Sequence, residues 1–246
     1  MFRYQITIEY AGTDFRGWQI QKKGKTIQGF IQENISKFLK EKIILFGSGR
    51  TDAGVHAVGQ SAHFDCSKKI DNIQKFLKSL NFFLNKEKIA ILTIRKKSNN
   101  FHARFSAKMR IYKYIIINRP SKPVLEKKKC WHVTKKLDLK MMKQGAKKLI
   151  GTKDFSTFRA SSCRAKSPVK TMKLVKIKYS QNIIEIEFRS KSFLQQQVRS
   201  MVGCLKYLGE KKWSLKKFEN VIKSKKRILC APPAPPEGLF LFKIVY

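Results

Sequence analysis

Acidic residues are scarce in this sequence. Only 16 of its 246 residues are Asp or Glu, against 54 Lys and Arg, which gives a formal charge of +38 at neutral pH. Repulsion of that size in a folded chain calls for a polyanionic partner, with nucleic acid the first candidate and an anionic membrane surface the second. The same scarcity argues against a metal-dependent nuclease, which needs clustered carboxylates. The acids here are scattered singly along the chain.

Cysteine patterning is missing too. The five cysteines (66, 130, 163, 204 and 230) are isolated and odd in number, with no Cys-x-x-Cys pair. That excludes a disulfide framework or a zinc ribbon and fits a reducing cytoplasm. The four histidines (56, 63, 102 and 132) lack ligand spacing, including the His-x-Glu with Pro-Cys-x-x-Cys of nucleobase deaminases, so no metal is expected. Long apolar runs are absent, and nothing approaches the length that spans a bilayer. The start, Met1 to Ile8, is strand-like and lacks the apolar centre of a signal peptide. Both observations weaken the membrane reading.

What is present is a globular composition, 42% hydrophobic, on a chain long enough for one large domain or two small ones. Arg3–Tyr10 alternates as a strand does, with Tyr4, Ile6, Ile8 and Tyr10 on one face. Thr26 can cap a helix whose apolar stripe is Ile27, Phe30, Ile31, Ile35, Phe38 and Leu39. Strands are expected at Ile43–Phe46, Ser61–Asp65 and Ile89–Arg95, with a helix started by Asp71 between the last two. The order is β-α-β-β-α-β. The second half repeats it: a strand at Arg110–Asn118, a helix at Leu139–Ile150 capped by Asp138, and a hairpin from Thr171–Tyr179 to Ile183–Phe188. A helix at Leu194–Leu208, another from Ser214 to Ser224 and a strand at Leu239–Tyr246 complete it. This reads as an α+β protein of two ferredoxin-like halves, 1–103 and 104–246, with sheets side by side around a basic cleft.

One loop stands out chemically. Gly47 to Ala57 reads Gly-Ser-Gly-Arg-Thr-Asp-Ala-Gly-Val-His-Ala, with three glycines in its first eight positions around Arg50 and Asp52. The bland interpretation is an ordinary turn in which Asp52 bonds its own backbone. The sharper one is a reactive carboxylate, presented by tight turns and kept ionised by a neighbouring cation. Three further stretches suit RNA. Phe101, His102, Arg104 and Phe105 interleave rings and cations where the halves join, although a linker that anchors Phe101 and Phe105 in the core is an equal alternative. Arg159, Arg164 and Lys166 lie in a polar, basic stretch from Gly151 to Lys166, read as a phosphate-contacting loop whose bland alternative is a solvated one. Tyr112 sits on a strand, where its ring can stack on a base, although a strand Tyr alone is more often core. Arg199 opens a mostly apolar helix and needs an acidic partner, for which Asp52 is the natural candidate.

Seven pieces of the chain, in order, resemble the TruA family of tRNA pseudouridine synthases. They are Tyr10-Ala-Gly-Thr-Asp-Phe-Arg-Gly-Trp-Gln, Gly49-Arg-Thr-Asp-Ala-Gly-Val-His, Phe101-His-Ala-Arg-Phe-Ser-Ala, Arg110-Ile-Tyr-Lys-Tyr, Asp154-Phe-Ser-Thr-Phe-Arg, Phe193-Leu-Gln-Gln-Gln-Val-Arg-Ser-Met-Val-Gly and Glu237-Gly-Leu-Phe-Leu. The resemblance implies that Asp52 is the catalytic aspartate, Arg50 an RNA contact, Tyr112 the ring that stacks on the target uracil, and Arg199 the partner of the aspartate. It implies that 101–105 and 162–166 touch tRNA. The implied substrate is uridine at positions 38–40 of the anticodon arm, isomerised by a cytoplasmic homodimer with base flipping and without a cofactor. The alternative from the residues themselves is a non-catalytic, basic RNA-binding or assembly protein.

Overall fold

A computed structural model describes all residues, Met1–Tyr246. The chain is α+β, with ten strands and five α-helices, and it divides by packing into two units: 1–108 with 241–246, and 109–240. No helix is long and apolar enough to cross a membrane.

In the first unit the alternating N-terminal stretch forms β1 (Phe2–Tyr10), with Tyr4, Ile6, Ile8 and Tyr10 all buried. It pairs antiparallel with β3 (His56–Cys66) on one side and β4 (Ile89–Lys97) on the other. The register sets Tyr4 opposite Phe64 and Ile6 opposite Ala62, and the Tyr4 and Phe64 rings stack at 5.8 Å. Each such aliphatic or aromatic side chain removed from water contributes about 2 kcal/mol before entropy is counted. Thr26 caps α1 (Ile27–Leu39) by accepting the Gly29 N–H at 3.3 Å. The second helix, α2 (Ile73–Leu84), is capped by Asn72 through the Lys75 N–H at 2.8 Å, so its cap is one residue later than the expected Asp71.

The expected strand at Ile43–Phe46 shrinks to β2 (Phe46–Gly47), paired with His63 and Ala62 of β3. Ile43 and Leu45 are fully buried while Ile44 and Phe46 face out, so the apolar run is half surface. With strand order β4-β1-β3 and β2 on β3, this unit is ferredoxin-like with a vestigial second strand. It also holds the end of the chain. Residues 241–246 of β10 (Leu239–Val245) and its flank lie beside β3, where the Phe242 carbonyl occupies the space that a Cβ on Gly59 would fill. Tyr246 Oη donates to the Ala103 carbonyl and shares a second hydrogen bond with Ser61 Oγ, both at 2.8 Å. The strand that the sequence pattern assigns to the second half is therefore packed in the first unit for these residues.

In the second unit β5 (Met109–Asn118), β9 (Ile183–Ser190), β8 (Val169–Ser180) and β7 (Gly151–Asp154) follow one another, and β6 (Trp131–Val133) pairs parallel with β5. The β8–β9 hairpin turns through Gln181 and Asn182, both at positive φ. Asp138 caps α3 (Leu139–Lys148) and Ser214 caps α5 (Leu215–Ser224). Between them, α4 (Gln197–Gly209) begins three residues later than the apolar pattern suggests, because Gln196 adopts a left-handed conformation at φ 59°. The stretch from Gly151 is not wholly a loop either. Its first four residues form β7, Thr152 and Thr171 share a hydroxyl hydrogen bond of 2.8 Å, and Phe155 and Phe158 are fully buried.

Candidate functional site

Main-chain contacts and buried neutral groups hold the backbone of the Asp52 loop. Thr51 is buried, and its hydroxyl shares a 2.8 Å hydrogen bond with Tyr10 Oη at the end of β1. The Thr51 carbonyl accepts the Trp18 N–H at 3.1 Å, and the Asp52 carbonyl accepts the Val55 N–H at 3.2 Å, closing the turn through Gly54. Gly17 lies directly beneath. A Cβ there would come within 2.6 Å of the Thr51 carbonyl oxygen, and its φ of 87° is unfavourable for other residues. Upstream, Gln60 locks the strand into the loop, accepting from Ser48 Oγ at 2.8 Å and donating to the Gly49 carbonyl at 2.8 Å. Downstream, the buried His56 accepts the Gly12 N–H on Nδ1 at 3.1 Å. On this frame Asp52 is half-buried and Arg50 is exposed, its Nε donating to Gln19 Oε1 at 3.2 Å. The loop thus holds its backbone by buried contacts and leaves the Asp52 side chain half-buried.

The 101–105 stretch forms a second cluster in the same unit. His102 Nδ1 accepts the main-chain N–H groups of Arg104 and Phe105 at 3.1 and 3.4 Å, which folds the turn back on itself. Phe105 is 72% exposed, with its ring 4.4 Å from that of His102, whereas Phe101 packs against Tyr246 at 4.9 Å. Two residues that no motif singles out complete the group. His63 lies 4.7 Å from His102, and the exposed Phe46 stacks on His63 at 5.1 Å with planes 20° apart. The buried His63 accepts the Ala103 N–H on Nδ1 at 3.2 Å, so it is held neutral; burial and the nearby His102 and Arg3 lower its pKa to about 4. The His102 pKa is lowered in the same direction, by burial first and then by Arg3 and Arg104. Arg3 itself is clamped on Asp65 at 2.6 Å and on the Phe101 carbonyl at 2.8 Å. Alternation along β3 puts His63 on the face opposite Ala62 and Phe64, so its burial comes from partners in a stretch 40 residues away.

The remaining candidates belong to the second unit. Tyr112 is buried on β5, its ring edge-on to Phe193 at 5.0 Å. Arg199 sits in the first turn of α4, half-buried, with Nε donating to the Ala234 carbonyl at 2.7 Å. Arg159 turns inward: its Nη2 donates to the carbonyls of Cys163 and of Ala165, the latter at 2.9 Å, so it builds the loop that carries Arg164 and Lys166. Those two are exposed. The loop leans on the start of the α4 segment, where Ala160 N–H donates to the Gln195 carbonyl at 3.1 Å. Asp52, Arg50 and 101–105 are thus brought into one unit, and Tyr112, Arg159, Arg164, Lys166 and Arg199 into the other.

Known proteins supply the remaining evidence. The profile of the tRNA pseudouridine synthase family matches residues 6–106 and 146–246, which takes in Asp52, the 101–105 turn, the 159–166 loop and Arg199 but not Tyr112. The chain is 70% identical to tRNA pseudouridine synthase A of Pelagibacter ubique (strain HTCC1062) over 246 residues, covering the whole of both proteins. It is 42% identical over 248 residues, again end to end, to tRNA pseudouridine synthase A of Parvibaculum lavamentivorans. Identity of that extent, through every element described above, places this chain in the tRNA pseudouridine synthase family.

Proposed function

We propose that this protein isomerises uridine to pseudouridine at positions 38–40 of the tRNA anticodon arm, with Asp52 as the reacting carboxylate and without a cofactor. The observation that carries the reading is the Asp52 loop, a half-buried carboxylate beside Arg50 on a frame of buried main-chain contacts, in a chain of +38 charge. Isomerisation breaks the N-glycosidic bond, turns the base and joins C1′ to uracil C5. It is redox-neutral and needs a carboxylate acting near C1′ or C6, by analogy with the carboxylates of glycoside cleavage. It also needs the uridine lifted from its stack, at a few kcal/mol, roughly.

In this reading Tyr112 stacks on the lifted uracil, Arg199 keeps Asp52 ionised, and Arg50 holds the RNA backbone. The rings of Phe101, His102 and Phe105, with Arg104, line its path. Arg164 and Lys166 supply phosphate contacts, with Arg159 shaping their loop. The working form is a homodimer in the cytoplasm. The test is incubation of unmodified tRNA with the purified protein, without metal or nucleotide, followed by mapping of pseudouridine. Product at positions 38–40 is expected. Tight tRNA binding with no product would leave the non-catalytic RNA-binding alternative standing.

A further inference from the structure

Two of the five cysteines, 26 positions apart in sequence, meet in the second unit: Cys204 Sγ and Cys230 Sγ are 3.5 Å apart. Cys204 is buried in the middle of α4, and Cys230 is half-buried just after the turn at Arg227–Leu229. Main-chain contacts press the two segments together. Pro232 lies so close to α4 that its carbonyl oxygen would be 2.1 Å from a Cβ on Gly203. Ala234 N–H donates to the Arg199 carbonyl at 2.9 Å, and Arg199 Nε returns a bond to the Ala234 carbonyl at 2.7 Å. Arg227 Nη1 donates to Ser200 Oγ at 2.8 Å, which sets its guanidinium beside the pair.

The bland explanation is that both sulfurs fill the core as small hydrophobes, for Cys is among the most buried residue types. It accounts for Cys204. It does not account for Cys230, which keeps access to solvent beside a cation. The two thiols are also unequal. The hydrogen bond from Cys204, helped by Arg227, holds the Cys230 thiol below its ordinary value, whereas the same bond and burial push Cys204 up. A half-buried thiol beside a cation, lowered from its ordinary value, with a second thiol in contact behind it, is the layout of an oxidisable cysteine and its resolving partner.

We propose that Cys204 and Cys230 are a redox-modification site, at which a peroxide oxidises Cys230 and Cys204 closes a disulfide that pins the 231–234 segment to α4. The steps balance. The Cys230 thiolate attacks one oxygen of hydrogen peroxide and the O–O bond breaks; the sulfur becomes a sulfenic acid, and the other oxygen leaves as hydroxide and takes up the thiol's proton as water. The Cys204 sulfur then attacks the sulfenic sulfur, the S–O bond breaks, and the hydroxyl leaves with the Cys204 proton as a second water. Two thiols and one peroxide give one disulfide and two waters. The sulfurs must close from 3.5 Å to a bond of about 2 Å. Cys230 has extended backbone (φ −74°, ψ 142°) outside any helix, where small rotations suffice. Neither RNA nor Asp52 takes part, so this site and the isomerase reading are tested separately.

The experiment treats the reduced full-length protein with one equivalent of hydrogen peroxide, blocks remaining thiols, and maps the peptides by mass. The expected first product links the Cys204 and Cys230 peptides and reverts with dithiothreitol. In Cys204→Ala, oxidation should stop at a Cys230 sulfenic acid that dimedone traps. Melting of the oxidised parent should rise by roughly 5–10 °C, because the cross-link removes freedom from the unfolded chain. The sharpest competitor is Cys163. Burial raises its thiol, but main-chain bonds at Ala165 and Gln195, with Arg159, more than offset this and leave it lowered. Oxidation of Cys163 while 204 and 230 stay reduced would overturn the proposal. So would over-oxidation of Cys230 in the parent without linkage, or linkage only in denaturant. A disulfide that leaves the melt unchanged would overturn the pinning.

Discussion

The loop that carries Asp52 and the loop that carries Arg164 and Lys166 are both short and polar, yet they are held in opposite ways. Around Asp52 the backbone is held by buried, close contacts: Tyr10 on Thr51, Trp18 on the Thr51 carbonyl, and Gly17 beneath with no room for a methyl group. Around Arg164 the neighbouring Ser161, Ser162, Lys166 and Ser167 are all exposed, and the anchors are the Arg159 guanidinium, the buried Cys163 and the bonds of Ala160 and Ser162 to Gln195. The difference fits the two kinds of work proposed for these loops. A reacting carboxylate must be held to a fraction of an ångström, whereas a cation serving a phosphate needs only to reach it.

The strongest way to break the comparison is to change Asp52. Asp52→Asn keeps the side chain's shape and its turn-forming capacity, so the buried frame should survive and melting should stay near that of the parent. Product formation in a single turnover should fall at least about a thousandfold, or ~4 kcal/mol of barrier. Affinity for tRNA should hold or tighten slightly, since a negative charge facing phosphates has gone. Activity within about tenfold of the parent would remove Asp52 from the chemistry. Loss of folding together with activity would return the loop to the role of an ordinary turn.

Gly17→Ala tests the frame without touching the carboxylate. The added methyl group meets the Thr51 carbonyl at 2.6 Å and the Asp52 carbonyl carbon at 3.1 Å, at a φ of 87° that alanine adopts poorly. The loop must shift, and stability should drop by about 1–3 kcal/mol. A displacement of even an ångström should lower the single-turnover rate by about a hundredfold while tRNA affinity changes little. Parental activity in this variant would mean that Asp52 tolerates the looseness seen around Arg164.

The parts of this arrangement that are local in sequence were legible there. Alternation located β1 and the β8–β9 hairpin, and Thr26, Asp138 and Ser214 announced their helices by the oxygen each offers to a main-chain N–H. Arg50 and Asp52 could be paired as neighbours on one glycine-rich turn. What was not legible depends on distant residues. Nothing near Gln196 reveals that it turns left-handed and delays α4, and the apolar run at Ile43–Phe46 hides two outward positions. The Thr51–Tyr10 bond spans 41 residues, and Tyr246 ties into the first unit across 185. Arg159 looked like a phosphate ligand until its guanidinium was found on two carbonyls of its own loop.

Acid should loosen the first unit and leave the 160–168 loop as it is. The pKa of His63 is lowered from 6.5 to about 4 by burial and by His102 and Arg3, against the opposing pull of Asp65. Its neutral form is the one the fold accommodates, because Nδ1 must accept from Ala103. The unfolded chain therefore binds the proton more readily. Stability is complete above about pH 6.5 and is lost as the pH falls toward about 4, by something on the order of 2 kcal/mol, with the lowered His102 adding in the same sense. Urea melts across that interval measure the slope. His63→Asn, which keeps an acceptor and does not titrate, should flatten it; an unchanged slope would assign the effect to other groups.

The smallest effects belong to the exposed loop, and their form matters more than their size. Arg164→Ala and Lys166→Ala each remove one exposed cation, and neither should disturb folding. Each should weaken tRNA binding by roughly three- to tenfold near physiological salt, and should reduce the slope of log affinity against log salt by about 0.9, one released counterion. The single-turnover rate at saturating tRNA should not change, since a contact made equally in ground and transition states lowers only binding. Arg159→Ala should behave differently, because its Nη2 holds the Cys163 and Ala165 carbonyls. Losing those bonds frees the loop, so affinity should fall further than for either neighbour although no phosphate contact is deleted directly. If instead Arg164→Ala cut the saturated rate and left the salt slope alone, the loop would be positioning substrate as strictly as the Asp52 turn does. Exposure would then be no guide to which of the two loops tolerates motion.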